Sequence, residues 1–306
     1  MVTSAVPVPA SQAEIPTTAS QRLRAILELS KPGITLMEIV TAAVGFVVAE
    51  PWQHTGVGMV LIRFAALSAG VLFLGASAGA FNHLLERSTD ARMQRTSLRP
   101  LPAGKLGAGT ALLYAVGMLV AGTAILWMVG WRVALLGVAT VTLYALAYTP
   151  LKTRTVAALF IGGIPGALPV VGGWVAGGGS IASAEAVILG GIMFWWQLPH
   201  FLALAVMYAE DYQRGKIALI GGGNRSVLSW HTLVYSVFLV ATSLAWVVWG
   251  KGGYLYAVGC GTLSVWLLVQ CVRLVRQPSV AQGRRVLLAT YMFLMGLFLL
   301  AAVDIR

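Results

Sequence analysis

Acidic side chains are scarce in this chain: 306 residues carry ten Asp and Glu against 21 Lys and Arg. Charged residues make up 10% in all, where soluble chains carry about a quarter. An ordinary soluble domain is excluded. Cysteine is nearly absent too, with Cys260 and Cys271 eleven positions apart in one apolar stretch. One straight helix would hold them too far apart to bridge, so a disulfide scaffold is excluded. No low-complexity tract and no linker between soluble domains appears. No Ser/His/Asp or Cys/His arrangement offers a nucleophile.

What the chain has is apolar surface. Apolar residues are 58% of it, and the mean hydropathy is +0.83. The apolar runs are long enough to cross a bilayer, about twenty residues each. We place nine spanning helices near 34–50, 57–82, 106–130, 132–150, 157–177, 184–207, 228–249, 253–272 and 286–303, an all-α polytopic bundle. The glycine-rich stretch Gly172–Gly179 reads as the outer exit of the fifth.

The net charge of +11 raises nucleic acid as a partner, but its distribution speaks against one. With the N-terminus in the cytoplasm, seventeen of the 21 basic residues fall on that side. Arg63, Arg132, Lys251 and Arg306 are left for the other. This asymmetry predicts a cytoplasmic N-terminus and an outer C-terminus. The first twenty residues lack a basic segment followed by an apolar run, so residues 1–28 read as a disordered cytoplasmic tail, not a signal peptide. The membrane domain is expected over 29–306. Trp52, Trp127, Trp131, Trp246 and Trp249 fall near outer ends, where an aromatic belt accounts for them.

With so few acids, their positions are informative. Glu14, Glu28 and Asp304 are bland; Glu50 and Glu185 sit at outer ends. Glu38, inside the first span, is expected to pair across helices with a lysine or tyrosine. Asn82, Glu86 and Asp90 recur every four residues at the inner end of the second helix, a spacing that holds them on one face. Asn82 and Asp90 would be about 12 Å apart, too far to share one ion. The row suits two hard cations, or one cation bridging to a substrate, and Mg²⁺ takes oxygen ligands in this way. Arg92, Arg95, Arg99 and Lys105 follow at once, and guanidinium groups pair well with phosphate oxygens. The design repeats in Glu210-Asp211 followed by Arg214 and Lys216. Adjacent helical residues point about 100° apart, so only one of those two acids should face a shared site. Two helix tips would clamp a diphosphate and its metals between them.

These residues resemble the intramembrane prenyltransferases of the UbiA superfamily, and within it the enzymes that farnesylate heme. The resemblance runs from Leu29 to Asp304. It is carried by Ser30-Lys31-Pro32-Gly33-Ile34-Thr35, the Asn82, Glu86, Asp90 row, and Met93-Gln94-Arg95-Thr96 with Arg99-Pro100-Leu101-Pro102-Ala103-Gly104. Tyr148-Thr149-Pro150-Leu151-Lys152-Thr153-Arg154-Thr155, Gly162-Gly163-Ile164-Pro165-Gly166-Ala167-Leu168-Pro169, Trp196-Gln197-Leu198-Pro199-His200-Phe201 and Glu210-Asp211-Tyr212 complete it. Two positions depart from the family pattern. Glu86 stands where aspartate is frequent, and Ile217-Ala218-Leu219-Ile220-Gly221 replaces a Pro-Met-Leu-Pro stretch.

The resemblance implies transfer of farnesyl from farnesyl diphosphate to a vinyl group of heme B, giving heme O, in the cytoplasmic membrane with the site open to the cytoplasm. It implies Asn82, Glu86, Asp90 and Asp211 as catalytic residues and, with Glu210, as Mg²⁺ ligands. Lys31, Arg92, Arg95, Arg99, Lys152 and Arg154 become phosphate contacts, and His200 and His83 heme contacts. Membrane lipid and a heme A synthase are the implied partners. The alternatives are a prenyltransferase acting on a quinone precursor or another tetrapyrrole, a transporter, and a non-catalytic heme-holding subunit. Transporters hold polar residues near the midplane, whereas these acids cluster at one face.

Overall fold

The computed structural model describes residues 18–305. Among them the chain forms helices α1 (Ala19–Leu29), α2 (Pro32–Val48), α3 (Val57–Asp90), α4 (Ala108–Val129) and α5 (Trp131–Thr142). A π-helical turn, Leu143–Tyr148, and α6 (Thr149–Leu151) continue α5. Then come α7 (Ala158–Ala176), α8 (Ala184–Met207), α9 (Ala209–Arg214), α10 (Arg225–Trp249), α11 (Tyr254–Arg276) and α12 (Val280–Val303). Nine segments in the described residues are long and apolar enough to span a bilayer. The chain is an integral membrane protein built as a helical bundle.

Several boundaries differ from the sequence expectation. A disordered tail through residue 28 gives way to α1, which starts with a capping box: Thr18 Oγ1 accepts from Gln21 N, and Gln21 Oε1 accepts from Thr18 N. The first seventeen residues of that expected tail lie outside the described residues. The second span runs to Asp90, not 82, because no Gly or Pro stops it before Pro100. At 34 residues α3 is about 51 Å long, so its last turns project beyond a hydrocarbon core of about 30 Å.

Gly172 and Gly173 belong to α7 itself. A Cβ at Gly173 would come 1.9 Å from Ala42 O, and one at Gly45 would come 2.0 Å from Val170 O. Helices α2 and α7 thus touch backbone to backbone, the small-residue packing that membrane helices use where lipid offers no hydrophobic drive.

The end of the bundle away from Asn82 is pinned by ions and caps. Lys251 Nζ meets Glu50 Oε2 at 2.5 Å. Asp304, expected to be bland, accepts from Tyr256 N at 2.8 Å and so caps α11. Trp246 is buried at 1% exposure, while Trp52, Trp127, Trp131 and Trp249 are exposed as a belt requires.

Candidate active site

Helix α3 carries the oxygen row as read from the sequence. Asn82, Glu86 and Asp90 are all buried, Asp90 at 0% exposure. Four-residue spacing makes them neighbours, and Asn82 Nδ2 donates to Glu86 Oε1 at 2.6 Å. Lys31 Nζ donates to Asn82 Oδ1, and Lys152 Nζ pairs with Glu86 Oε1. Asn82 Nδ2 also reaches Thr149 Oγ1 at 3.3 Å. Arg99 Nη1 bonds both oxygens of Asp90, at 3.0 and 2.9 Å, and Thr96 Oγ1 donates to the Asp90 carbonyl. Each buried charge thus has its partner, as a low-dielectric setting demands.

Lys31 reaches this row from a constrained backbone. It sits between α1 and α2 at φ 46°, in the left-handed region, a strained conformation for a side chain of this type. The neighbours hold it there. Ser30 Oγ lies 2.6 Å from Tyr114 Oη, Thr35 Oγ1 donates to Ser30 O at 2.7 Å, and Pro32 opens α2. Burial lowers the Lys31 ammonium to about 8.

The row lines a cavity of about 410 Å³. Its polar end holds Lys31, Asn82, Glu86, Asp90, Arg95, Arg99 and Lys152, four cations against two carboxylates. Its other wall is apolar, from Ile34, Leu159, Phe201 and Ala205, and the segment Ile217–Ile220 lies along it. Ala218 N donates to Lys152 O at 2.9 Å, which ties that segment to the base of the site. The segment that departs from the family pattern thus still lines the cavity, through Ile217–Ile220.

The second acidic pair divides as the 100° rule requires: Asp211 is buried and Glu210 is exposed. Asp211 does reach the loop that follows Asp90, but through the backbone. Its Oδ1 accepts from Gln94 N at 2.8 Å and from Arg214 Nη2 at 2.9 Å, and its Oδ2 from Arg95 N at 3.3 Å. Burial alone would raise this carboxyl; those three donors outweigh it and hold the group below its usual value. Asp211 and Glu210 line a separate outer groove of about 340 Å³ with Arg95, Arg214 and Arg225. Arg95 lies on both walls, with its guanidinium 5.1 Å from the Tyr208 ring centre and 5.5 Å from that of Tyr212.

The remaining expected contacts are spread out. Arg92 is exposed and bonds only Thr89, at 3.4 Å; Arg154 is exposed. His200 does not line the cavity. Its Nδ1 lies 3.1 Å from Thr290 Oγ1, and its ring stacks on Trp196 with centroids 4.7 Å apart. Thr290 Oγ1 donates to Leu287 O, so it must accept from His200 Nδ1–H, and this tautomer leaves Nε2 bearing the lone pair. His83 is buried with Nδ1 unpartnered among the described residues. Glu38 has no partner of the expected kind: no hydrogen bond or ion pair engages its carboxylate among the described residues.

Sequence reasoning missed Tyr144 and Tyr148. Both line the cavity from the π-helical turn, ring centroids 5.3 Å apart. Their four-residue spacing and the Tyr148–Lys152 motif were visible; the π turn that presents them was not. Tyr212, also on the wall, adjoins Asp211 and went unassigned.

The donor set can be tested against Mg²⁺. Among the described residues no three His, Cys, Asp or Glu side chains group to hold an ion. Two carboxylates and an amide oxygen do face the cavity, beside more cations than they neutralise. That set fits an ion that takes its other ligands from water and substrate phosphate, as Mg²⁺ does, and the surplus positive charge suits a polyanion.

Comparison with known proteins agrees with this geometry. Residues 39–300 match the UbiA prenyltransferase family. A protoheme IX farnesyltransferase of Solibacter usitatus is 33% identical over 289 residues, covering 92% of this chain and 99% of the relative. A solved digeranylgeranylglyceryl phosphate synthase superposes with TM-score 0.75 at 16% identity, covering 92% of this chain and 98% of that one. A UbiA homolog from Archaeoglobus fulgidus bound to GPP and Mg²⁺ gives TM-score 0.63 at 15% identity, covering 91% and 100%.

Proposed function

The chain belongs to the UbiA prenyltransferase family, and from that membership we propose that it transfers the farnesyl group of farnesyl diphosphate to a vinyl group of heme B, giving heme O. The observation that carries the reading is the buried ladder Lys31–Asn82–Glu86–Lys152, with Asp90–Arg99 beside it, at the polar end of a cavity whose other wall is apolar. A diphosphate fits the polar end and a prenyl chain the apolar wall.

Glu86 and Asp90, with Asn82, would hold Mg²⁺ there, Asn82 and Asp90 serving different ions, and the metal would supply positive charge to the leaving diphosphate when bound. Lys31, Arg95, Arg99 and Lys152 bind and orient the phosphates, and stabilise the charge that develops as the C–O bond breaks. Asp211 positions the loop bearing Arg95, and Glu210 stays on the outer groove. Tyr144 and Tyr148 turn aromatic rings toward the cation that remains, and the apolar wall keeps water from quenching it early. His200, with Nε2 free, is the heme contact we favour; His83 offers a second imidazole near the polar end. Arg92 and Arg154 contribute to the basic face. By the positive-inside distribution, that face is cytoplasmic, in the cytoplasmic (inner) membrane. Product would pass to a heme A synthase.

Purified protein given farnesyl diphosphate, heme B and Mg²⁺ is expected to form a heme heavier by one farnesyl group and one hydroxyl group, read by mass spectrometry. Chelation of divalent ions should stop it, and Mg²⁺ should restore it. Prenylation of a quinone precursor with heme left unmodified would overturn the reading.

A further inference from the structure

We propose that Glu38 is the base of the hydration half of the reaction, taking the proton that water releases when it adds to the prenylated acceptor; this rests on the farnesyl-to-heme reading above. A carboxylate inside a span is expensive, and such groups pair, face a cavity, or mark a functional path. Glu38 lies within the span that begins at Pro32 and is unpaired among the described residues. Its Oε2 rests against α3, where a Cβ built on Gly75 would come 2.4 Å from it. The glycine leaves room for the acid. Its open side lines a second, apolar cavity with Leu74, Ala78, Gly137 and Leu168.

Depth ties that cavity to the site. Glu38 follows Lys31 by seven residues, about two helical turns or ~10 Å deeper. Lys31 sits on Asn82 at the diphosphate end, and Tyr144 lines the main cavity. Gly75, against which Glu38 rests, precedes Asn82 by seven residues on α3, so the Glu38–Gly75 contact lies the same two turns below the Lys31–Asn82 contact. An allylic carbon leaving a diphosphate held by Lys31 stands just below the phosphates, and the acceptor's new cation stands one bond further on. Glu38 is the acid at that depth.

The step balances as follows. The vinyl π pair forms the new C–C bond to the allylic carbon, whose C–O bond to diphosphate has broken, and leaves a cation at the carbon next to the porphyrin. A water lone pair forms a C–O bond to that carbon. In the same step one water O–H bond breaks, its electron pair stays on oxygen as the hydroxyl, and its proton passes to the Glu38 carboxylate. Without this base a C–H bond on the adjacent carbon breaks instead, its electron pair forms a C=C bond and its proton passes to the released diphosphate, giving an alkene one water lighter.

Wild type, Glu38→Gln and Glu38→Asp are compared for diphosphate release and for the mass of the heme product. General bases contribute about 10²–10⁴-fold. In Glu38→Gln, hydroxylated heme per diphosphate released should therefore fall by at least about tenfold, with the lighter alkene in its place, and Glu38→Asp should restore hydration. An unchanged ratio in Glu38→Gln overturns the proposal, as does loss of diphosphate release in a variant that unfolds at the wild-type temperature. Should Glu38→Gln not fold, wild type in D₂O decides: a raised alkene share at unchanged diphosphate release supports the base, and an unchanged share overturns it. A wild-type enzyme that makes no prenylated heme refutes the functional reading itself, a result separable from all of these.

Discussion

Replacing Asp211 separates two ways a carboxylate can serve this site. Its oxygens accept from Gln94 N, Arg95 N and Arg214. Asp211→Ala would strand two backbone N–H groups, at about 1–3 kcal/mol each. The Arg214 pair adds little, since that side chain is 42% exposed and exposed pairs are worth at most about 1 kcal/mol. A loss of about 3 kcal/mol from the closed loop, at tenfold per 1.4 kcal/mol, lowers the population with Arg95 in place by about a hundredfold. Asn keeps a carbonyl oxygen for Gln94 N but turns a donor Nδ2 to Arg95 N, which costs about 1 kcal/mol at the low end of that range, and forfeits charge assistance worth about 1 kcal/mol more. Asp211→Ala should therefore lose about a hundredfold in kcat/KM for farnesyl diphosphate, and Asp211→Asn about thirtyfold. Steady-state diphosphate release, with thermal unfolding in detergent as the control, measures both. Equal inactivity of Asn and Ala in folded protein would refute the reasoning, because it would mean the charge acts on a metal and not on the loop.

Two further outcomes follow from the packing. Glu86→Gln leaves Lys152, 13% exposed, without its carboxylate and should destabilise the protein by about 3–5 kcal/mol; Glu86→Gln with Lys152→Met should recover the unfolding temperature but not turnover. Gly79→Ala puts a Cβ 2.5 Å from Leu29 O and close to Lys31. It should destabilise by about 1–3 kcal/mol and raise KM for the diphosphate substrate more than it lowers kcat, checked by thermal unfolding and initial rates.

The span count, the all-α class and the shared face of the Asn82, Glu86, Asp90 row were legible because each rests on local periodicity. That one of Glu210 and Asp211 is buried and the other exposed follows the same periodicity, but both line the outer groove and neither lines the main cavity, where one was expected. What Asp211 touches was not legible: its partners lie about 116 residues away along the chain, on backbone groups that carry no side-chain signature. Glu38 illustrates the converse. The sequence marks it as anomalous, but only the packing shows that its carboxylate rests against Gly75 with no hydrogen bond or ion pair among the described residues. Helix α1 escaped notice because a short amphipathic segment next to a polar tail has too few apolar residues to stand out.

The π-helical turn at Leu143–Tyr148 has one more consequence. Its wider hydrogen-bond ring inserts a slip in register between α5, whose upstream residues pack in the bundle, and Thr149 and Lys152, which serve the cavity. Deleting a single residue there would let the helix relax to ordinary α geometry while swinging everything downstream by about 100°. Robustness and competence are thus opposed at this turn: the shortened chain would be a sounder rod and a blunted tool.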